Sequence, residues 1–433
     1  MSVVICGAGI AGVATAFQLS VEFGVSDVVV CDPRPPLTLT SDKSTECYRN
    51  WWPGRDMVGF MNRSIDILWE LDRRSEGAFH LNRRGYLYVT GRPERLSAME
   101  AEAATVSGHG AGPFRLFPTD PGGPEGADLL DRRTLLSRYP YLTPEAAGGL
   151  FVHRAGWMSA QQLGAWMLDR AIDAGAQLLP HAVVAVELQA ESVAAVRLSD
   201  GSTIRTTSFV DAAGPMVGPV AALAGVSLPV HSEAHHKVAF RDHLGVVDRS
   251  APMLIWCDDQ HIPWSSDEAD LLIEAGRPEL ITTMPPFCHG RPEGGDGSTW
   301  ILALWEHTRT VMEPEWPMPD DELYPEVVMR GMSTMLPGLG AYLDHLPQPF
   351  VDGGYYTKAP DNLPLIGPVG PTGFHVCGGL SGYGVMAAPG AGELAACHIL
   401  ERDLPTWADS FSPTRFDDPG YMVAIESSDA GQL

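Results

Sequence analysis

The first 32 residues carry apolar runs separated by glycines. The run "VVIC" (3–6) predicts a buried strand, and "VATAFQLSVEF" (13–23) has the apolar content and spacing of a helix. Gly24 follows as a residue suited to ending that helix, and "DVVVC" (27–31) predicts a second strand. This order predicts a strand–helix–strand unit at the start of the chain.

Similar patterns continue along the rest of the chain. Helices are predicted at 52–74, 95–106, 132–140 and 159–179, the last with Ser159 as its N-cap. Strands are predicted at 83–90, 182–188, 193–204 and 208–214, with a hairpin turn at Asp200-Gly201. Between 231 and 350 the pattern predicts strands joined by long loops, and 288–298 is predicted to be a Gly/Pro-rich surface loop. Residues 374–400 predict a strand, a glycine-rich turn and a helix.

The predicted elements divide into two interleaved parts. Nucleotide-domain patterns occupy 1–75, 146–230 and 351–412, and the segments 76–145 and 231–350 form a second, inserted domain. Residues 413–433 are polar and acidic, which predicts a loosely held C-terminal tail. We therefore expect an α/β fold in which a discontinuous Rossmann-like domain carries an inserted α+β domain.

Composition and charge exclude several functions. The 433 residues have a formal net charge of −25, which argues against binding to nucleic acid or to anionic membranes. The first apolar run has no preceding positive charge, so a signal peptide is not predicted. Seven scattered cysteines without a C-x-x-C pair predict a reduced, cytoplasmic protein with no zinc site. His235 and His236 point to opposite faces of a predicted strand, so we expect no metal there.

The glycines of the first unit predict a nucleotide site. Gly7, Gly9 and Gly12 follow the spacing G-x-G-x-x-G between strand and helix, and Asp32 ends the second strand. The helix start would face a pyrophosphate and Asp32 would accept a hydrogen bond from a ribose hydroxyl. The acid argues against NADP and leaves NAD and FAD open. The later segment "GGLSGYG" (378–384) is a second turn whose backbone would approach a ligand.

Six segments together carry a family resemblance. They are "CGAGIAGVATA" (6–16), "VVVCD" (28–32), "STECYRN" (44–50), "FVDAAGPMVGPVAALAGV" (209–226), "YYTKAPDNLPLIGPVG" (355–370) and "GGLSGYGVMAAPGAGE" (378–393). With them the chain resembles the D-amino-acid oxidase superfamily of flavoproteins, in particular its sarcosine oxidase and glycine oxidase branch. The resemblance implies FAD, a glutathione-reductase-type nucleotide domain, and a substrate domain built on an antiparallel sheet over the flavin.

The resemblance extends the set of expected cofactor residues. The full set is Gly7, Gly9, Ile10, Ala11, Gly12, Asp32, Pro33, Arg34, Ser44, Thr45, Ala213, Gly214, Gly379, Leu380, Ser381, Gly382, Tyr383, Gly384, Val385 and Met386. The cysteine to which the family attaches flavin would stand near Gly354 and is absent, and residues 43–45 include no histidine for the other linkage. We therefore expect non-covalent FAD.

The resemblance also suggests four catalytic candidates, each with an alternative structural role. Arg49 aligns with an arginine that binds the substrate carboxylate, or it is an ordinary ion-pair partner. Glu46 stands where the branch often has a basic residue, and is a general base, an anchor for a cationic substrate, or a partner of Arg49. Met386 replaces a carboxylate-binding lysine, for which Lys358 is a substitute or a solvated lysine.

The segment 300–310 aligns with a substrate-domain strand. There Ala303 takes the place of an oxygen-activating lysine, which favours a dehydrogenase over an oxidase, and His307 is the acid/base candidate. Several tryptophans suggest an aromatic pocket, although most tryptophans in proteins lie in the core: Trp51, Trp52, Trp256, Trp264, Trp300 and Trp305.

Three functions are consistent with these residues. The first is an FAD-dependent oxidation of the C–N bond of an amine or amino acid, with a secondary or bulky amine favoured. The second keeps the fold but oxidises a 2-hydroxy acid, which is disfavoured because an alcohol needs a base to remove its proton. The third is a flavin-binding or electron-transfer subunit without its own substrate. The expected partner is a small molecule, and the oligomeric state is left open.

The substitution Asp32→Ala tests the predicted ribose contact. We expect weaker FAD binding because the carboxylate acceptor for the ribose hydroxyl is removed. Titration of the apoprotein with FAD, followed by flavin fluorescence, measures the change. An unaltered dissociation constant would show that Asp32 does not hold the ribose.

Overall fold

The computed structural model describes residues 2–120, 122–295 and 297–426. Its α-helices α1 to α10 are Ile10–Phe17, Arg55–Arg74, Arg95–Val106, Arg132–Arg138, Ala160–Asp173, Val217–Ala222, Ser266–Glu274, Tyr324–Met335, Gly384–Ile399 and Pro419–Glu426. Shorter 3-10 segments are Gly214–Met216, Pro278–Ile281, Pro337–Tyr342, Ser381–Tyr383, Ala408–Phe411 and Pro413–Asp417, and π-helical turns are Gln18–Glu22 and Ser107–Ala111.

The strands alternate with these helices along the chain. Strands β1 to β21 are Ser2–Cys6, Asp27–Cys31, Cys47–Arg49, Tyr86–Thr90, Phe114–Leu116, Ala127–Asp131, Gly148–Val152, Ala155–Trp157, Gln177–Leu179, Val183–Gln189, Ser192–Leu198, Thr203–Arg205, Ser208–Asp211, His231–Arg241, Met253–Trp256, Cys288–Glu293, Trp300–Leu304, Thr310–Val311, Phe350–Lys358, Leu365–Pro368 and Phe374–Gly378.

A six-stranded sheet forms the first part of the molecule. Its order is β20-β21-β13-β1-β2-β9, with parallel pairing throughout except between β20 and β21. The strands are apolar on both faces because both faces are covered. Val3 and Ile5 of β1 pack in the cluster that contains α1 and α9, whereas Val4 and Cys6 pack in the cluster that contains β10 and β11. The result is a three-layer arrangement of helices, parallel sheet and a smaller antiparallel sheet.

A ten-stranded sheet forms the second part. Its main path is β18-β14-β17-β16-β15-β4-β7-β6-β5, and β19 also pairs with β14. The pairs are antiparallel except β4 with β15 and β5 with β6. Successive residues of β4 alternate between two cores: Leu87 and Val89 lie in the outer cluster with α8, and Tyr86 and Tyr88 in the cluster shared with the first part. The predicted fold class is therefore confirmed.

The helices predicted at 52–74, 95–106 and 132–140 and the hairpin also form. The helix predicted at 159–179 ends at Asp173, because residues 177–179 form the strand β9 and pair with β2. Ser159 caps α5 by accepting a hydrogen bond from the backbone N–H of Gln162 at 3.3 Å, as predicted. The segment 288–298 is different from prediction, because residues 288–293 form the strand β16 in the middle of the large sheet. The long stretch after residue 231 also contains α7 and α8, where only strands and loops were predicted.

The domain boundaries remain a prediction, but strand pairing bears on two of them. We assigned 146–230 and 351–412 to the nucleotide domain. Strands β7 and β19, near the start of those segments, pair within the ten-stranded sheet. In each of these two segments the chain therefore returns to the six-stranded sheet only after that strand.

Membrane-spanning helices and metal sites can be assessed for the described residues. Within them, no helix combines the length and apolar character needed to cross a membrane. No group of three or more His, Cys, Asp or Glu residues among them is arranged to hold a metal ion. His235 and His236 lie on opposite faces of β14: His235 stacks on Tyr356, and His236 packs on Tyr324.

The beginning of the C-terminal tail is held firmly, contrary to the prediction of a loose tail. Arg415 and Asp361 form an ion pair in which both side chains are buried, with Nε–Oδ2 at 2.6 Å and Nη2–Oδ1 at 2.9 Å. Tyr421 donates its hydroxyl to the same carboxylate at 2.6 Å. Asp361 belongs to the motif "PDNLPLIG", so the motif and the tail are fastened together. Residues 427–433 lie outside the described residues.

Removing Arg415 should destabilise the protein strongly. We expect Arg415→Ala to lower the free energy of unfolding by about 3 to 5 kcal/mol, because it leaves the buried Asp361 carboxylate without its counter-charge. Urea denaturation followed by tryptophan fluorescence measures this. Arg170→Ala is the control, since its ion pair with Asp173 is exposed and should contribute less than about 1 kcal/mol. Equal losses in both variants would contradict the anchoring role.

Candidate active site

The turn between β1 and α1 brings backbone segments unusually close. Gly7 has φ +108°, and a Cβ there would lie 2.4 Å from the carbonyl oxygen of Ala212. A Cβ on Gly12 would lie 1.9 Å from the carbonyl oxygen of Gly7. Gly9, the N-cap of α1, supplies no side-chain hydrogen bond. The N–H of Ile10 donates to Oγ of Ser41 at 2.9 Å, so the N–H groups of the first turn that remain for an anion are those of Ala11 and Gly12.

Asp32 stands beside this turn at the end of β2. Its Oδ2 accepts a hydrogen bond from the N–H of Ala8 at 2.9 Å, and its Oδ1 accepts one from the N–H of Arg34 at 2.9 Å. The carboxylate is thus oriented by backbone on both sides. Its contact with a ribose remains a prediction.

A cleft of about 770 Å³, here named the glycine cleft, opens over the turn. It brings together residues that are far apart in sequence, from the first unit, the strand end at Ala212 and the last glycine-rich turn. Of the expected cofactor residues it is lined by Gly7, Gly9, Ile10, Ala11, Asp32, Arg34, Ala213, Gly214, Gly379, Leu380, Ser381 and Gly384.

Two further cavities continue from the glycine cleft. A junction cavity of about 470 Å³ shares Ile10 and Ser381 with the cleft and is also lined by Ser44, Gly382 and Val385. An aromatic cavity of about 1000 Å³ shares Gly382 with the junction cavity. Its lining includes three more expected residues, Thr45, Tyr383 and Met386. Two expected residues line none of the three cavities: Gly12, which packs against Gly7, and Pro33, which is exposed.

This sequence of cavities fits a long dinucleotide. The open N-terminus of α1 lies in the glycine cleft, where it would stabilise phosphate charge, and Asp32 stands at the same cleft. The 3-10 turn Ser381–Tyr383 and the start of α9 lie where all three cavities meet. A ring at the far end of the ligand would therefore reach the aromatic cavity.

The aromatic cavity is closed by the inner face of the large sheet. Tyr86 and Tyr88 of β4 and Met253 and Ile255 of β15 line it because their strands alternate between the two cores. Burial raises the pKa of Tyr88 to about 12, so its hydroxyl stays protonated at neutral pH. The further lining residues are Cys47, Arg49, Trp52, Pro285, Pro286, Phe287, His289, Leu304, Glu306, Arg309 and Tyr356.

Arg49 is the buried cation of this cavity. Only 8% of the residue is exposed. Its Nε donates to the carbonyl of Trp51 at 3.2 Å, and its guanidinium lies 4.3 Å from the centre of the Trp52 ring. Nη2 is buried and has no hydrogen-bond partner among the described residues. A buried donor on a charged group is costly to leave unpaired, so this site is suited to a carboxylate ligand.

Glu46 and Lys358 do not line the aromatic cavity. Glu46 accepts a hydrogen bond from the N–H of Ala160 at 2.8 Å and lies 3.7 Å from Nη2 of Arg291, so its charge partner is Arg291 and not Arg49. Lys358 is buried with its Nζ 2.7 Å from Oε2 of Glu233. Both charged groups are already engaged in the fold.

The structure does not bring Ala303 or His307 of segment 300–310 to the aromatic cavity. Leu304 and Glu306 line the aromatic cavity, whereas Ala303 lies in the outer core cluster. His307 packs on Trp305 and Tyr324, and its Nδ1 contacts the carbonyl of Trp305 at 3.3 Å. Burial lowers its pKa. Leu304 ends the strand β17, and Glu306 faces the cavity from the loop that follows it.

His289 is a cavity residue that sequence reasoning missed. The Gly/Pro-rich composition around it predicted a loop, but it lies in the strand β16. Its Nδ1 donates to the carbonyl of Phe287 at 2.7 Å, which leaves Nε2 as an acceptor when the ring is neutral. Burial lowers the pKa of His289, which favours that neutral form. In the sequence, only the alternation of His289 with Cys288 and Gly290 indicates a strand at this position.

Of the six tryptophans considered, Trp52 lines the aromatic cavity. Trp256 and Trp305 belong to the outer core cluster. The aromatic character of the cavity comes mainly from tyrosines instead.

A family model described as DAO, FAD dependent oxidoreductase, matches residues 2–398. The chain belongs to the DAO family of FAD-dependent oxidoreductases. This confirms the resemblance, the enzymatic class and the cofactor expected from the sequence. No curated protein sequence matches the chain.

Solved structures of similar fold include three enzymes of low sequence identity. L-proline dehydrogenase from P. horikoshii has a TM-score of 0.76 at 19% identity, with 96% of this chain and 97% of that chain covered. Glycine oxidase from Geobacillus kaustophilus has a TM-score of 0.74 at 16% identity, with 96% and 98% covered. Iminodiacetate oxidase from Chelativorans sp. BNC1 has a TM-score of 0.70 at 19% identity, with 95% and 98% covered. At these identities the likeness shows the fold.

Proposed function

We propose that this DAO-family enzyme oxidises the C–N bond of an amine that also carries a carboxylate, with the carboxylate bound by Arg49. The observation that supports this most directly is the buried, unpartnered Nη2 of Arg49 in the aromatic cavity. A guanidinium fork binds a carboxylate through two parallel hydrogen bonds. The similar folds of an L-proline dehydrogenase and a glycine oxidase agree with such substrates.

The residues of the glycine cleft would hold the dinucleotide, and FAD supplies the acceptor for the hydride that leaves the carbon. The protein's own contribution is to bind, orient and desolvate the substrate. Arg49 fixes one end, while Tyr86, Tyr88 and Trp52 exclude water around it. Non-covalent attachment of FAD is part of the proposal, supported by glycine at position 354 in the junction cavity.

Space beside the aromatic cavity supports a bulky substrate. A further cavity of about 1150 Å³ shares Trp52, Tyr88 and Phe287 with it. A substituent on the substrate nitrogen or α-carbon could extend past these three side chains. We therefore favour a secondary or bulky amino acid over glycine.

Anaerobic titration of the visible flavin spectrum tests the reaction class. Bleaching by N-alkyl or bulky amino acids supports the proposal. Bleaching only by 2-hydroxy acids would move the assignment to C–OH oxidation. A protein that binds FAD but is bleached by neither class would act as a flavin-binding subunit.

The substitution Arg49→Met should raise the Michaelis constant for an amino-acid substrate about 100-fold, because the carboxylate loses its charged partner. With the corresponding amino-acid amide as substrate, the Michaelis constant of Arg49→Met should differ little from that of the unmodified enzyme. Arg92→Met is the control, since Arg92 forms an exposed ion pair with Asp259 away from the cavity. An unaltered Michaelis constant in Arg49→Met would refute the anchor.

We also expect the reduced enzyme to react slowly with oxygen. Among the described residues that line the aromatic cavity there is no lysine, and Lys43 of the junction cavity is paired with Asp42 and Asp352. An unpaired ammonium group would stabilise the negative charge that forms when oxygen is reduced. Stopped-flow mixing with air should show slow recovery of the flavin absorbance, accelerated in Leu304→Lys. Fast recovery in the unmodified enzyme would make it an oxidase.

A further inference from the structure

A row of ionisable side chains extends along one face of β14 from His235, which lines the junction cavity. His231, Glu233 and His235 alternate with residues of the other face, as a strand requires. His235 has only 3% of its side chain exposed and Glu233 only 9%, whereas 40% of the His231 side chain is exposed. This row is separate from Arg49 and the glycine cleft.

Glu306 connects the row to the aromatic cavity. Of the described residues that line this cavity, Glu306 is the one carboxylate. Its Oε1 lies 3.5 Å from Nδ1 of His235, and its side chain is 27% exposed. It forms no other ion pair among the described residues, although Arg309 lines the same cavity. A single carboxylate facing a cavity with a carboxylate-binding arginine is the natural contact for the substrate's ammonium group.

The other side of His235 is held in place by Glu233. Nε2 of His235 lies 3.3 Å from Oε2 of Glu233, and the imidazole stacks on Tyr356 with 3.7 Å between ring centres. Lys358 and His231 hold Glu233 in turn, at 2.7 Å and 3.3 Å. Because Glu233 accepts from Nε2–H, the tautomer of neutral His235 has Nδ1 free to accept a proton.

We propose that Glu306 is the general base that removes a proton from the substrate's ammonium group, and that His235, oriented by Glu233, takes this proton from Glu306. The proposal rests on the amine chemistry proposed above. In the first step an N–H bond of the ammonium breaks and an O–H bond forms on Glu306. In the second step that O–H bond breaks and an N–H bond forms on Nδ1 of His235. No electrons leave or enter in either step.

The consequence for catalysis follows from the lone pair on nitrogen. An ammonium group has no lone pair to assist the departure of a hydride, so the substrate must be neutral at nitrogen before it is oxidised. Moving the proton to His235 leaves Glu306 ionised beside the positive charge that develops on the oxidised nitrogen. His235 is thereby a positioning residue that acts through Glu306.

Other charged and titratable groups surround this pair and contribute to its pH dependence. Glu233, which Lys358 neutralises, faces His235 from the same strand. Those near Glu306 or His235 from other elements are Lys43, Arg49, His289, Arg309, Tyr324 and Tyr356. Burial raises the pKa of Tyr356 and Tyr324, so both stay neutral. Burial lowers the pKa of His289, so it too is uncharged at neutral pH. Glu233 stays ionised because His235 and Lys358 lower its pKa.

The test is the pH dependence of flavin reduction in anaerobic rapid mixing, which separates the reduction rate from the substrate dissociation constant. Glu306→Gln should reduce flavin about 100-fold more slowly at pH 7. Its rate should recover as the pH approaches the pKa of the substrate's own amine, because the neutral substrate needs no base. Glu306→Asp should retain a base and recover part of the rate at pH 7.

His235→Gln and His236→Gln form a matched pair on adjacent positions of β14. His235→Gln should displace the acidic limb of the pH profile and slow reduction about tenfold at pH 7. His236→Gln should leave rate and profile unchanged, because His236 faces the other side and contacts the carbonyl of Pro319. Flavin content and thermal unfolding confirm that each variant is folded and loaded.

Three outcomes would overturn the proposal. One is a wild-type rate and profile in Glu306→Gln. Another is a change confined to the dissociation constant, which would make Glu306 a binding group only. The third is identical behaviour of His235→Gln and His236→Gln, which would remove His235 from the mechanism. Failure of every amine to bleach the flavin of the unmodified enzyme would instead refute the proposed function. This result is distinguishable from the three outcomes above, which concern the variants.

Discussion

The close approach of backbone at the first turn is the constraint on which the site depends. β1, α1 and the segment after β13 meet where no Cβ can be accommodated at Gly7 or Gly12. This contact sets the start of α1 against the end of the parallel sheet, with the N–H of Ile10 donated to Ser41 and those of Ala11 and Gly12 left for a ligand. The glycine cleft exists because the chain can pack there without side chains.

Alternation along the large sheet determines the chemistry of the aromatic cavity. Each strand of its centre presents one set of residues to the outer core and the other set to the cofactor-binding part. Tyr86, Tyr88 and Leu304 reach the cavity by this rule, and Ala303 reaches the outer core. Glu306 reaches the cavity from the loop that follows β17. The strand residues of the cavity are therefore sensitive to register, because a shift of one residue along β17 would turn Leu304 toward the outer core.

Pairing of charges distinguishes structural residues from the candidate site. Arg415 and Lys358 are buried cations with carboxylates at 2.6 and 2.7 Å, and Arg291 pairs with Glu293 at 2.6 Å. Such pairs offset the cost of removing both ions from water. Arg49 is buried to a similar degree but has no such partner among the described residues. A carboxylate on the ligand would neutralise the charge of Arg49 in the way that protein carboxylates neutralise the other buried cations.

The sequence was sufficient for features that depend on neighbours along the chain. The glycine fingerprint, Asp32 at the end of β2 and the N-cap Ser159 follow from local backbone requirements, and the fold class follows from the order of such elements. Packing decided the rest. Whether Glu306 or His307 faces the cavity depends on the path of the loop after β17. Lys358 is neutralised by Glu233, which is 125 residues away in the chain. Charge neutralisation and the facing of side chains are set by contacts distant in sequence, so a one-dimensional pattern does not contain them.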